Sequence, residues 1–236
     1  AERVVRPRVL AGRCSRVGRH STNDWAWAAS CTLPGVAARR ASLGLDAGDG
    51  ENAKFVSSDF SPDGRTLAVG LVRRKEANQT TGIRSWSIAE NRWDPTLADL
   101  DGTLFWLAFS PDGKALAVSG IRSLAGRVPI AVSQLGVWNS TTGKNIWRSD
   151  TVHFEAKEPA FSSDGARVAT RGSGPSGADI VMRDATNGRI VAVLRDALAE
   201  RVVFAYSPVG SLLATSDGLH LELRDSETSL VRAVLY

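Results

Sequence analysis

Short apolar runs separated by polar turns recur through most of this sequence, and the clearest example spans Phe109 to Val118. Its centre is the polar turn Ser110-Pro111-Asp112-Gly113, flanked by runs rich in Phe, Leu, Ala and Val. Pro presets the backbone for a type I turn, Asp is tolerated at the next position, and Gly adopts the left-handed conformation that follows. The pattern therefore predicts two short strands joined by a tight hairpin.

This hairpin motif occurs four times in altered form. Each copy has an aromatic residue before the Ser, and an Ala follows that aromatic eight residues later. The copies begin at Phe60, Phe109, Phe161 and Tyr206. Their spacings of 49, 52 and 45 residues match the period of about 40–50 residues that is typical of a four-stranded propeller blade. The repeat therefore predicts an all-β fold of about four four-stranded antiparallel blades.

Apolar segments after each hairpin supply the other strands of each unit. A third strand is predicted at 83–87, 135–139, 180–184 and 219–225. Polar turns such as Thr142-Gly143-Lys144 follow, and a fourth strand is clearest at 190–194 and 230–235. The predicted blades cover about 53–98, 103–150, 157–195 and 201–236. Residues 1–52 are predicted to be an irregular basic segment or the remnant of a preceding blade.

The Phe-Ser-Pro-Asp-Gly-x-x-Leu-Ala hairpin and the Thr-x-Gly-Lys turn resemble those of bacterial WD-repeat β-propellers, over about residues 53–236. The dipeptide that names that family is degenerate, and the usual Gly-His pair is absent. Its positions hold Trp86-Ser87, Trp138-Asn139, Arg183-Asp184 and Arg224-Asp225. The third unit is also similar to periplasmic TolB-like propellers. The resemblance implies a partial β-propeller whose loop face binds partners, either an excerpt of a larger ring or one that self-associates.

The connections between second and third strands are the candidate binding loops. They are predicted at 73–82, 121–129, 171–178 and 216–218, and the first three carry basic residues. The candidate partner-binding residues are Arg73, Arg74, Lys75, Arg122, Arg127 and Arg171. Because Arg recognises carboxylates and phosphates through paired hydrogen bonds, this set favours an acidic or phosphorylated protein or peptide. The alternative is ordinary solvated charge, offset by Glu76 and Asp179.

The positive charge is concentrated at the start of the chain. The formal net charge is +4, and residues 1–50 hold eight Arg against four acidic residues, so the remainder is neutral. A neutral propeller region argues against nucleic acid as a partner. The Arg-rich start is interpreted as either a basic arm for anionic surfaces or a tail or linker. No apolar run approaches the ~20 residues that a membrane span needs.

The sequence contains no evident catalytic or cofactor-binding constellation. The three His residues, His20, His153 and His220, are far apart in sequence, and no Ser or Cys lies in a nucleophile-elbow context. Two cysteines, Cys14 and Cys31, allow one bridge but no disulfide framework or metal site. We therefore predict no enzyme activity, cofactor or metal. Asp59 replaces the Ala of the other copies, which predicts either a partnered carboxylate or an exposed strand.

Together these features favour a non-catalytic protein–protein interaction scaffold that binds a protein or peptide through its propeller loops. Two alternatives stay open at this point: a propeller accessory domain of a larger enzyme, a peptidase or kinase, or a TolB-like periplasmic propeller. The sequence begins with Ala1 and its single Met is Met182, so we expect an excerpt or a processed piece. The repeat style suggests a bacterial source, and we expect missing blades or self-association. A cytoplasmic location is favoured.

Overall fold

The structure is a computed structural model, and it describes part of the chain. The described residues are 14–17, 28–31, 53–75, 78–94, 97–124, 130–151, 157–174, 177–196, 203–216 and 220–235. The chain divides into two compact units, Ala1–Gly48 and Asp49–Tyr236. The Asp49–Tyr236 unit contains the whole repeat.

In the first unit, two short strands form an antiparallel pair. Strand β1 is Cys14–Val17 and strand β2 is Ala28–Cys31. Cys14 lies directly opposite Cys31 in the register of this pair. Directly opposed residues of an antiparallel pair have Cα atoms about 4.5–5.5 Å apart, a separation that a disulfide can span. The register is therefore compatible with the single bridge that the sequence leaves open.

The second unit consists of four antiparallel sheets in chain order. The first contains β3 (Ala53–Phe60), β4 (Thr66–Lys75) and β5 (Asn78–Ser87), with β6 (Arg92–Trp93) and β7 (Ala98–Asp101) both paired to β5. The second contains β8 (Thr103–Phe109), β9 (Ala115–Leu124), β10 (Ile130–Asn139) and β11 (Asn145–Thr151). The third contains β12 (Lys157–Phe161), β13 (Arg167–Gly174), β14 (Gly177–Asp184) and β15 (Ile190–Asp196). The fourth contains β16 (Val203–Tyr206), β17 (Leu212–Ser216), β18 (Leu221–Asp225) and β19 (Val231–Leu235).

The predicted fold class is confirmed: the described part of this unit is all-β and has a partial propeller-like arrangement of antiparallel sheets, three of four strands and the first of four strands plus the short β7. The four hairpins occupy equivalent places in the four sheets. Their first and second strands pair at Phe60–Leu67, Phe109–Leu116, Phe161–Val168 and Tyr206–Leu213. The first strands also contact one another in chain order, β3 with β8, β8 with β12, and β12 with β16.

Hydrogen bonds within the hairpin turn explain why its residue types recur. The Ser110 hydroxyl donates to a carboxylate oxygen of Asp112 (2.7 Å) and accepts the N–H of Ala115 (2.9 Å). The Gly113 N–H donates to the Ser110 carbonyl, and Gly113 has a left-handed φ of 72°. The turns at 61–66 and 162–167 repeat this pattern. The motif therefore closes a turn from its own side chains.

Neighbouring sheets pack face to face through buried apolar clusters. We call the face of a sheet that packs on the next sheet along the chain its forward face, and the opposite face its rear face. Ala68 and Ile83 on the forward face of the first sheet share a cluster with Leu104, Leu116 and Trp138 of the second. Two further clusters of the same kind follow between later sheets. The core is thus divided among the spaces between sheets.

Side chains of β3 also bond to the backbone of the neighbouring sheet. Asp59 accepts the N–H of Phe109 (2.8 Å) as well as that of Phe60 (2.9 Å), and the Ser57 hydroxyl accepts the N–H of Leu107 (3.1 Å). Burial raises the pKa of Asp59, and the two backbone hydrogen bonds oppose that rise. Of the two alternatives for Asp59, the structure shows the partnered carboxylate. It ties the first sheet to the free edge of β8.

Candidate binding surface

The two ends of the sheets differ in what they present. One end, which we call the turn end, carries the turns between first and second strands and between third and fourth strands. The other end, the loop end, carries the connections between second and third strands. The turn end lies largely within the described residues, and the loop end less so. The candidate basic residues that the structure describes, Arg73, Arg74, Lys75, Arg122 and Arg171, belong to the loop end.

The structure corrects the boundaries of the predicted binding loops. Arg73, Arg74 and Lys75 were predicted in a loop, but their backbone forms the last three residues of β4. Arg73 pairs with Thr80, and Lys75 pairs with Asn78. Backbone pairing does not require apolar side chains, so the β4–β5 hairpin continues through these basic residues. Arg122 and Arg171 likewise lie in strands β9 and β13, whereas Arg127 lies outside the described residues.

Arg122 is held by a carboxylate of its own sheet. Its Nε donates to Asp150 Oδ1 (3.1 Å), and its second nitrogen contacts the other oxygen of Asp150. The side chains of Arg122 and Asp150 are only 17% and 29% exposed. The hydrogen bonds from Arg122 hold the pKa of Asp150 below its usual range, with smaller contributions from Arg148 and Gln134. The paired hydrogen bonds from the Arg122 guanidinium to a carboxylate are therefore made within its own sheet.

Arg171 has a looser partner. Its guanidinium lies 3.8 Å from a carboxylate oxygen of Glu158, and the Arg171 side chain is 23% exposed. Both residues belong to the third sheet, so this pair also forms within one sheet. Two of the six predicted residues are thus seen in intra-sheet ion pairs. The binding role of Arg73, Arg74 and Lys75 stays a prediction.

The turn end uses its polar side chains to hold its own backbone. In the second and third sheets, the last residue of the third strand accepts hydrogen bonds from the turn that follows: Asn139 from Thr141 and Thr142, Asp184 from Thr186. Asp225 does the same for Thr228 and Glu227. These are the second residues of the dipeptides Trp138-Asn139, Arg183-Asp184 and Arg224-Asp225. Their side chains cap the turn between third and fourth strands.

Two cavities lie at the turn end between neighbouring sheets. One of about 220 Å³ is lined by Ser61, Asp63, Ser85 and Asp112 among others. The other, about 560 Å³ and more open, is lined by turn residues that include Asp164 and Gly210. The pKa values of Asp63, Asp112 and Asp164 are lowered, first by the hydrogen bond from the Ser hydroxyl of the same turn. Carboxylates that are already engaged in this way are poor acid–base catalysts.

Two buried polar side chains at the turn end were not predicted from the sequence as functional residues. Arg183 is 8% exposed and donates to the Gly188 carbonyl (2.8 Å), and burial lowers its pKa. The Tyr206 hydroxyl is buried and has no hydrogen-bond partner among the described residues. Arg183 occupies the position of Trp138 in the second sheet.

The described residues show neither a metal centre nor a membrane helix. Within the described ranges, no group of three or more His, Cys, Asp or Glu side chains is placed to hold a metal ion. No helix in those ranges has the length and apolarity that a membrane crossing requires. No protein-family model matches the chain, and a search of curated proteins finds no match.

Proposed function

We propose that this chain is a non-catalytic interaction scaffold of the WD-repeat type that binds a protein or peptide at its loop end. The observation that supports the proposal most directly is the internal use of the motif residues. Ser and Asp are the reactive polar residues that recur in the repeat. Their side chains hydrogen-bond to each other within their own turns. A motif that repeats for structural reasons leaves the connections at the loop end as the variable surface.

The partner that fits best is an acidic segment. Arg73, Arg74 and Lys75 are three consecutive basic residues at the end of β4. An extended acidic peptide can meet such a strand end with charge-assisted hydrogen bonds. Arg122 and Arg171 contribute less, because each is already paired with a carboxylate.

The proposal is tested with a fluorescein-labelled peptide of Glu residues, followed by fluorescence anisotropy. We expect the double variant Arg73→Ala/Arg74→Ala to weaken binding by about tenfold or more, since charge-assisted hydrogen bonds contribute about 1.5–3 kcal/mol each. The matched control is Lys114→Ala/Lys144→Ala, which removes two positive charges at the turn end. The Lys114 side chain is 82% exposed, so the control leaves packing unchanged.

Two results decide against this function. Equal weakening by both double variants means that the peptide responds only to net charge. Unchanged binding in Arg73→Ala/Arg74→Ala places the peptide elsewhere on the chain. Increasing salt must also weaken binding of the unmodified chain, because exposed charges are screened over about 10 Å at 0.1 M salt.

A further inference from the structure

The turn between β14 and β15 contains the single Asn-Gly sequence of the chain, Asn187-Gly188. The equivalent turns of the second and fourth sheets close with the same backbone hydrogen bond, from the N–H at the position of Gly188 to the carbonyl at the end of the third strand. Those two turns have Thr142 and Thr228 where the third sheet has Asn187. The geometry of the turn therefore does not require an amide side chain at this position.

An Asn followed by Gly can undergo a reaction without any partner. The Gly nitrogen attacks the side-chain carbon Cγ of the Asn, and Gly obstructs this approach least because it has no Cβ. The new C–N bond forms as the N–H loses its proton, and the side-chain nitrogen leaves as ammonia. Water then opens the succinimide ring at one of its two carbonyls, which leaves Asp or isoaspartate in place of the Asn.

In the folded chain, hydrogen bonds hold the groups that this reaction must move. The Gly188 N–H donates to the Asp184 carbonyl (2.9 Å), and the Gly188 carbonyl accepts a hydrogen bond from the Arg183 guanidinium (2.8 Å). The Asn187 side chain is exposed, but its oxygen accepts the N–H of Arg189 (2.9 Å). The attacking nitrogen and the side chain that it must reach are therefore both fixed within the turn.

The second sheet keeps this turn closed. The Trp147 ring lies against Gly188, where a Cβ would be only 2.5 Å from the ring, and the indole N–H donates to the Ala185 carbonyl (2.7 Å). Trp147 is 8% exposed and belongs to the buried cluster between the second and third sheets. Release of the Gly188 nitrogen therefore requires the turn to move away from this ring.

We propose that Asn187 is a deamidation site that is blocked while the third sheet packs on the second and becomes reactive when that contact opens. Local opening of this kind occurs with its own free energy, without unfolding of the whole chain. The site lies at the turn end. It is separate from the proposed loop-end surface, and the proposal does not depend on that surface.

Deamidation makes the opening irreversible. Isoaspartate routes the main chain through the former side chain and adds an atom before Gly188, so the turn no longer places Gly188 against Trp147. Both products also add a carboxylate near Asp184, whose pKa is lowered first by hydrogen bonds from Thr186 and also by hydrogen bonds from Asn187. Two carboxylates in one turn repel each other. A chain modified here should therefore hold its second and third sheets together less tightly.

The first test compares the full chain in buffer and in urea at the same mildly alkaline pH. Trypsin cleaves after Arg183 and Arg189, which releases a peptide whose one Asn is Asn187. Mass spectrometry follows its conversion to the two acid products, and a sample digested at the start corrects for reaction during digestion. We expect deamidation to be about tenfold or more slower in buffer than in urea. Equal rates, or no reaction in urea, overturn the proposal.

The second test weakens the contact itself. Trp147→Phe removes the indole N–H that binds the Ala185 carbonyl and keeps an aromatic ring beside Gly188. Loss of this hydrogen bond should raise the rate in buffer about fivefold or more. Trp93→Phe makes the same exchange in the first sheet and should leave the rate unchanged. An unchanged rate in a Trp147→Phe chain that circular dichroism shows to be folded, or an equal rise in both variants, overturns the proposal.

Asn187→Thr is the matched variant for the consequence of the reaction. Thr stands at this position in the second and fourth sheets, so the variant keeps the turn and removes the reactive amide. Both chains are aged in urea and then refolded by dilution. We expect a lower urea midpoint for the aged unmodified chain than for a fresh one, and no such change in Asn187→Thr. Equal midpoints for aged and fresh unmodified chains would overturn the irreversible opening.

Discussion

At the scale of single residues, the hairpin turn shows how a short motif stabilises itself. Its Ser and Asp side chains exchange hydrogen bonds with each other and with two backbone N–H groups. The fourth copy lacks the Asp. There Ser207 donates to the carbonyl of Val209 (2.6 Å), and the Val209 side chain is left exposed. The fourth copy therefore shows the turn without the two hydrogen bonds that the Asp carboxylate accepts in the second copy.

Replacing Val209 by Asp should stabilise the protein. The new carboxylate is placed to accept the Ser207 hydroxyl and the N–H of Ser211, as Asp112 does in the second sheet. We expect the free energy of unfolding to rise by about 0.5 kcal/mol, the low end for a hydrogen bond because the site is exposed. Urea unfolding measures the change. Asp112→Ala should shift it the other way; a loss of stability in Val209→Asp would contradict the role given to the carboxylate.

Tyr206→Phe should preserve or increase stability. The hydroxyl is buried without a partner among the described residues, and the equivalent residue in the other three copies is Phe. Removing an unsatisfied polar group recovers about 1 kcal/mol of desolvation. Thermal unfolding is the measurement. A loss of more than about 0.5 kcal/mol would mean that the hydroxyl has a partner.

The same tyrosine has a distinct pH signature. Burial raises the pKa of Tyr206 to about 12, against about 10 in an unfolded chain. Because the folded pKa is raised, the free energy of unfolding is unaffected by this group below about pH 10 and falls as the pH rises towards 12. Phenolate absorbance should show one late transition in the folded chain. Both tyrosines of the urea-unfolded chain should titrate near pH 10, and Tyr206→Phe should abolish the late transition.

At the scale of elements, sheet contacts depend on turns as well as strands. Trp147 of β11 donates its indole N–H to the Ala185 carbonyl (2.7 Å), and its ring lies against Gly188 in the turn of the next sheet. Gly188 has a left-handed φ of 74°. A Cβ there would lie 2.5 Å from the Trp147 ring. This turn therefore belongs to the interface between the second and third sheets.

Gly188→Ala should be far more damaging than Gly64→Ala. Both glycines have left-handed φ values, 74° and 68°, but a Cβ on Gly64 would meet nothing within 4 Å. Gly64→Ala therefore carries only the backbone cost of about 1–2 kcal/mol. Gly188→Ala adds a clash with a buried ring, about 1–3 kcal/mol more. Denaturant unfolding of both variants separates the two effects, and equal losses would show that the ring contact contributes nothing.

At the scale of the whole repeat unit, stability should follow the number of neighbours that each sheet has. The second and third sheets are covered on both faces by other sheets, whereas the fourth is covered on its rear face alone among the described residues. In repeat proteins, stability is approximately the sum of repeat and nearest-neighbour terms. Among the second to fourth sheets, the fourth is therefore expected to open first.

Hydrogen exchange followed by mass spectrometry tests this order on dilute protein. Amides of β9, β10, β13 and β14 should exchange slowest, and those of β18 and β19 should exchange fastest among the strands of the second to fourth sheets. Uniform exchange across all three sheets would instead indicate a single cooperative unit without a weak end.

The four hairpins were predictable because their chemistry is local. A turn that is closed by its own Ser, Asp and Gly needs no information from distant residues, so Phe109-Ser110-Pro111-Asp112-Gly113 specifies its structure wherever it occurs. The spacing of the copies likewise determined the number of sheets. Strand ends were less predictable, since β4 continues through Arg73, Arg74 and Lys75 by backbone pairing to which no apolar pattern points.

The sequence by itself therefore determined the repeat, its turns and the all-β class. Tertiary structure alone decided which charges are free and which faces are covered. From the sequence, Arg122 is predicted to be a basic residue in a loop. Folding brings Asp150, 28 residues away, to its guanidinium. Leu221 and Ile180 have equivalent places in the pattern, and only the presence of a neighbouring sheet makes one buried and the other exposed. Burial and ion pairing are properties of what lies opposite a side chain, and the local pattern does not contain that information.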